Sequence, residues 1–215
     1  MATRFLLTAI VVVLALIPCS APFPPWRVYT FHDDSFTLLP SSLLPVSPSP
    51  PVPPSPDPLP VPPDWHVTAS TLADVTNDGA LERVLLVWRP WRDWPIQRWN
   101  TAPSPIASFH DSAGDSCHLI LLDPYSGREI WAGSALPAPL LALAVGDVSG
   151  DRRNEIVTLE GDYSAGRAGP ATRVDIWRWN GFGFTLEHRS PPGTFRELYL
   201  TDTDNDAILL TIAVR

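Results

Sequence analysis

In "LADVTNDGALERVLLVW", residues 72–88, Asp74, Thr76, Asp78 and Glu82 take the first, third, fifth and ninth places of a loop that runs straight into an apolar segment. Oxygen side chains at that spacing suit a hard cation. Ca²⁺ takes six to eight oxygens at about 2.3–2.6 Å, and a tight loop aims these four places, with the carbonyl of the seventh, at one centre. The seventh residue here is Ala80. Without a cation, charges about 4 Å apart repel by roughly 4 kcal/mol per pair at an effective dielectric near 20. The alternative is a plain turn, because Asp and Asn bond their own backbone and tolerate left-handed conformations.

"LAVGDVSGDRRNEIVTLEGD" repeats the arrangement 73 residues further on, with Asp147, Ser149, Asp151 and Glu155 and the carbonyl of Arg153. Two copies in phase, each with Glu in ninth place, favour the cation over the turn. The second is expected to be the weaker site, since Arg152 replaces the turn glycine Gly79 and Arg153 adds positive charge. A third copy, "YLTDTDNDAILLTIAV", keeps Asp202, Asp204 and Asp206 but has Ala207 and Leu210 at the glycine and glutamate places, as a degenerate or capping copy would.

The elements that must position these loops are short runs rich in β-branched and aromatic residues, divided by Gly, Pro, Asp and Asn: "HVTASTLA", "RVLLVW", "HLILLD", "REIWAGS", "LLALAV", "EIVTLEG", "RVDIWRW", "FTLEHR", "ELYLT" and "AILLTIAV". None sustains a helical period over the 10–12 residues a helix requires, so residues 64–215 are predicted to form an all-β domain. Copies spaced 73 and 55 residues apart predict a unit of several strands, such as a propeller blade, in tandem.

These residues resemble the FG-GAP or VCBS repeats of integrin-alpha-type β-propellers, in which an apolar strand, a calcium loop and a second strand recur in each blade. "LILLDPYSGREIWAGS" and "RVDIWRWNGFGFTLEHR" look like the outer hairpins of such blades, and the first also resembles turns of quinoprotein-type propellers. The resemblance covers most of residues 65–215. It implies Ca²⁺ as a structural ion in the first two loops, and binding of extracellular proteins or glycans more often than catalysis. Propellers close with four to eight blades, whereas about 150 residues supply two to three. An incomplete propeller, blades pooled from several chains in an oligomer, or an open sandwich would each account for that.

Before the repeats, Arg4 and the uncharged "FLLTAIVVVLALI" fit the core of a signal peptide within residues 1–21 and fall short of the ~20 residues that span a bilayer. Export is expected, to a secreted or surface-anchored state. Cys19 in "LIPCS" suits lipidation, although Pro18 stands where a small residue is usual; cleavage after Ala21 and an uncleaved anchor are the alternatives. With Cys117 as the only other cysteine, no disulfide scaffold is available. Most of the 26 prolines fall between Pro18 and Pro63, so residues 22–63 read as a spacer. Within it, "WRVYTFHDDSFTLL" is open between a strand and a docking arm. The net charge of −8 argues against nucleic acid or an anionic membrane surface as partner, leaving the N-terminal anchor as the membrane contact.

"WRPWRDWPIQRWN" sets Trp88, Trp91, Trp94 and Trp99 among Arg89, Arg92 and Arg98. Such a loop suits stacking on sugar rings, with Trp91 and Trp94 as candidates, or packing of the indoles on their own blade. "FHDSAGDSCHLILLD" gathers His110, Asp111, Asp115, Ser116, Cys117 and His118 but reads as a loop-to-strand junction, because Cys117 and His118 would point to opposite faces of a strand. The expectation is a non-enzymatic binding module. A propeller-class enzyme, glycan-active or quinoprotein-like, and a non-functional propeller fragment are its rivals.

Overall fold

A computed structural model describes residues 27–32, 35–39, 61–201 and 211–214. Among them are twelve strands: β1 (Arg27–His32), β2 (Ser35–Leu39), β3 (His66–Ala73), β4 (Glu82–Pro90), β5 (Asp115–Leu122), β6 (Glu129–Ala132), β7 (Leu140–Gly146), β8 (Glu155–Glu160), β9 (Arg173–Trp179), β10 (Phe184–Arg189), β11 (Leu198–Thr201) and β12 (Thr211–Val214). Two short 3₁₀ turns, Pro95–Arg98 and Tyr163–Ala165, are the only helical pieces among the described residues. The all-β expectation is met. The signal segment with Cys19, residues 40–60 and the third loop with Asp202, Asp204 and Asp206 lie outside the described residues.

The strands make three four-stranded antiparallel sheets, ordered β3-β4-β5-β6, β7-β8-β9-β10 and β11-β12-β1-β2. The first two are meanders of consecutive strands. The third joins the two ends of the described chain, with Arg27–Thr30 of β1 paired to Thr211–Val214 of β12 and β2 beside β1. Within the stretch read as spacer, residues 27–32 and 35–39, left open between a strand and a docking arm, are strands of the third sheet. Their alternation of Val28, Tyr29, Thr30 and Phe31 is strand chemistry that the surrounding prolines obscured.

Strand β7 lies between β3 and β11, so the leading strands of the three sheets are neighbours. The faces stack accordingly. Val84, Leu119 and Leu121 of the first sheet pack with Leu143, Val145, Ile156 and Trp177 of the second. The opposite face of the second sheet, Val157, Leu159, Val174 and Ile176, meets Phe36, Leu198 and Leu200 of the third. Covered on both faces, β4 and β8 are buried along almost their whole length, which is why they read as continuous apolar runs rather than alternating ones. Trp177 and Trp179 join this packing, and Trp179 meets Trp131 and Phe184 edge-on at 5.9 and 5.2 Å.

Because β1 completes the ladder of β12, a chain starting at Val61 loses half of the third sheet and exposes an unpaired edge. Its melting temperature should fall by several degrees, and a synthetic peptide of residues 26–39 should restore part of the loss when added in trans. No effect of the peptide would contradict the pairing.

Candidate cation loops and their surroundings

The first loop joins β3 to β4. Asp74 accepts from the backbone N–H of Asp78 and Gly79 at 3.1 and 2.9 Å, and Asp78 accepts from Ala80 N–H at 2.8 Å. Asn77 and Gly79 have φ of 59° and 90°, the left-handed conformation that Asn tolerates and Gly adopts without cost. Glu82 is 2% exposed at the mouth of β4 and accepts from Val75 N–H, Thr76 N–H and Thr76 Oγ1–H. Carboxylate oxygens of Asp74, Asp78 and Glu82 lie within 4.8 Å of one another. Ligands across a Ca²⁺ ion stand about 4.6–5.2 Å apart at its usual bond lengths, so these three fit around one ion, with Thr76 and Ala80 in the same turn. Among the described residues no basic side chain comes within 4.0 Å of the three carboxylates.

The second loop, between β7 and β8, repeats this backbone. Gly150 and Arg152 have φ of 79° and 68° at the fourth and sixth places. Asp147 accepts from Gly150 and Arg152 N–H, and Asp151 accepts from Arg153 N–H. Glu155, fully buried, accepts from Val148 N–H and Ser149 Oγ–H. The difference is Arg178 of β9. Its Nη2 donates to Glu155 Oε1 at 2.8 Å, its Nη1 lies 3.3 Å from Asp151 Oδ2, and its Nε lies 3.4 Å from Glu187. Of the residues expected to hold an ion here, Asp147, Ser149, Asp151, the Arg153 carbonyl and Glu155, two carboxylates therefore already face a positive charge from within the chain. Arg178 thus brings a positive charge against one oxygen each of Glu155 and Asp151, which competes with a metal ion in this loop and agrees in direction with its being expected to be the weaker site.

Sheet register shows why only one loop has this arginine. Arg178 stands one residue beyond the Ile156–Trp177 pair; the matching place in the first sheet, one beyond Arg83–Leu122, is Asp123. Asp123 is occupied in its own turn, accepting from Tyr125 N–H, Ser126 N–H and Ser126 Oγ–H. The two loops also touch. Asn154 N–H donates to Asn77 Oδ1 at 2.7 Å, and Asn154 Nδ2 donates to the carbonyl of Asp74 at 2.8 Å.

The tryptophan–arginine loop lies at the other end of the first sheet. Trp91 is held in place: its N–H continues the ladder to Gly114, its indole N–H donates to the Ile106 carbonyl at 3.0 Å, and its ring leans on His110. It is a packing residue rather than a free platform. Trp94 is 42% exposed and lines a cleft of about 320 Å³ together with Trp65, Arg89, Arg92 and His118. Trp65 and His118 were not legible as cleft residues, because the sequence places them 24 residues before and after the loop that bears Arg89 and Trp94.

Ser116 and His118 are hydrogen-bonded at 2.8 Å on β5, yet Ser116 is fully buried and the imidazole faces the Gly133 carbonyl, not a carboxylate. That pair is structural. Cys117, on the opposite face, is buried among Leu86, Trp88 and Leu140, and burial pushes its thiol up to about 12. Compared with models of known families, with characterised proteins and with solved structures, the chain has no match in any of the three.

Removing Arg178 leaves Glu155 buried without a counter-charge, a situation that costs on the order of 3 kcal/mol. Arg178→Gln should lower the denaturation midpoint accordingly, and Arg178→Gln with Glu155→Gln should recover much of it; equal losses in both would contradict the pairing. Burial pushes His118 down to about 4. A neutral His118 is favoured by the fold, so its contribution is complete above the unfolded value near 6.5 and is lost as pH falls toward 4, at most about 3 kcal/mol. Thermal melts at pH 7 and pH 5 should therefore differ more for the wild type than for His118→Gln.

Proposed function

We propose that the chain is an exported binding module whose three four-stranded sheets act as β-propeller-like blades, stabilised by a structural Ca²⁺ ion on Asp74, Thr76, Asp78, the Ala80 carbonyl and Glu82. The observation that carries this reading is the pair of like-folded loops at matching ends of adjacent sheets: one holds an arginine at its centre, and the other has three carboxylates around the same place with no basic partner among the described residues. A backbone used twice, once with an internal cation, favours an external cation in the other copy. The resemblance to FG-GAP or VCBS repeats supports the same ion. Blade character is supported by the neighbouring leading strands and by the third sheet, which takes its inner strands from one end of the described chain and its outer strands from the other. The apolar run at residues 5–17 supports export. The partner is an extracellular protein or glycan, met through loops at the ends of the sheets.

The test is thermal unfolding in Ca²⁺. An ion that binds only the folded form stabilises it by ~2.7 kcal/mol at 100 times its dissociation constant, several degrees for a domain of this size. Asp74→Ala and Asp78→Ala should abolish the rise, while Asp147→Ala should leave it intact on a lower baseline. Mg²⁺, which demands tight octahedral geometry, should do much less. An equal response to Mg²⁺, or a Ca²⁺ response surviving in Asp74→Ala, would leave the carboxylates as turn residues.

A further inference from the structure

We propose that the cleft at the far end of the first sheet binds an acidic sugar residue, its carboxylate on Arg89 and its ring against Trp94. The inference deepens the binding-module reading and rests on it for the class of partner.

Arg89 is the residue that demands an anion. It sits at the end of β4, half-buried in a cleft of about 320 Å³, at the lower end of the ~300–1,000 Å³ range of small-ligand sites. Burial lowers its pKa, as expected for a cation short of solvent. Among the described residues it has no carboxylate within 4.0 Å. One face of the guanidinium covers Trp65, with Cζ 5.5 Å from the ring centre.

Its one polar side-chain contact is His118 Nδ1, 3.3 Å from Nη2, and that contact is not a hydrogen bond. His118 Nδ1 lies only 2.9 Å from the carbonyl oxygen of Gly133, whereas Nε2 lies 2.8 Å from Ser116 Oγ, a hydroxyl able to donate. The tautomer that satisfies both puts the proton on Nδ1, where it donates to Gly133, and leaves Nε2 to accept from Ser116. Nδ1–H then faces Arg89 Nη2 as one donor faces another. Among the described residues the guanidinium is left without a side-chain acceptor, in a cleft that it lines.

The other walls narrow the ligand. Arg92, largely exposed, pairs among the described residues with Asp64 at 3.5 Å and can swing to a second anionic oxygen. Trp94 offers an exposed apolar ring face. A guanidinium fork matches a carboxylate in two parallel hydrogen bonds, and a pyranose ring presents a flat C–H face to an indole while its hydroxyls reach the exposed backbone around Ser134. A polyanion is disfavoured by the chain's net charge of −8, whereas a ligand bearing one charge is not.

The probes are methyl glucuronide, methyl glucoside and glucose 6-phosphate, titrated into the full exported chain in Ca²⁺ and followed by calorimetry and by the indole N–H signals in NMR. The glucuronide should bind at least about tenfold more tightly than the neutral glucoside, a difference of one decade in Kd. It should shift the Trp94 indole signal and lose about tenfold in Arg89→Gln. Trp94→Ala should weaken both sugars, and Arg92→Ala provides a second charge variant should Arg89→Gln fail to fold. Equal binding of glucoside and glucuronide, tighter binding of the phosphate, or no glucuronide binding by a protein that still melts higher in Ca²⁺ would overturn the proposal. The last result would leave the calcium reading standing.

Discussion

Each of the two described cation loops sinks a glutamate carboxylate, Glu82 or Glu155, beneath the turn that precedes it. The carboxylate collects the N–H groups of the turn and so fixes the angle at which one strand hands over to the next. A carboxylate buried in that way is a stabilising clamp only if something offsets its charge. One loop meets the requirement with Arg178 from the third strand of its own sheet. The other has Asp123 at the matching place and no basic side chain within 4.0 Å of its three carboxylates among the described residues. The reciprocal contacts of Asn77 and Asn154 tie the two loops, and with them the ends of both sheets, together.

That alignment decides how the sheets stack. With the leading strands β3, β7 and β11 side by side, every inner face finds an apolar face opposite, and the middle sheet is covered on both sides. Burial of Ile156, Leu159 and Ile176 contributes roughly 1.5–3 kcal/mol each. The third sheet depends on strands separated by almost the whole described chain, a long-range closure that carries an entropic cost in folding. Its edges are otherwise open, so pairing β1 with β12 removes two exposed ladders at once.

The two ends of the first sheet divide the work. Negative charge is concentrated at the end bearing Asp74, Asp78 and Glu82. At the other, the long β4–β5 connection packs Trp91 and Ile106 beneath itself and leaves Arg89 and Trp94 facing a cleft. A rigid ladder between them gives that cleft a fixed floor, which a loop alone would not provide.

The sequence by itself determined what is local: most of the strands with their turns, the all-β class, the two loops with their carboxylate spacing, and the turn glycine at Gly79. These follow from side-chain periodicity and backbone preference within about ten residues. Tertiary structure alone decided that one of the two loops carries an internal guanidinium, because Arg178 reaches Glu155 from 23 residues away through sheet register. It also decided that residues 27–32 and 35–39 are strands, since a segment flanked by prolines becomes a strand only when a ladder accepts it. The cleft was illegible for the same reason: Trp65, Arg89, His118 and Gly133 become neighbours only when β3, β4, β5 and β6 are laid edge to edge.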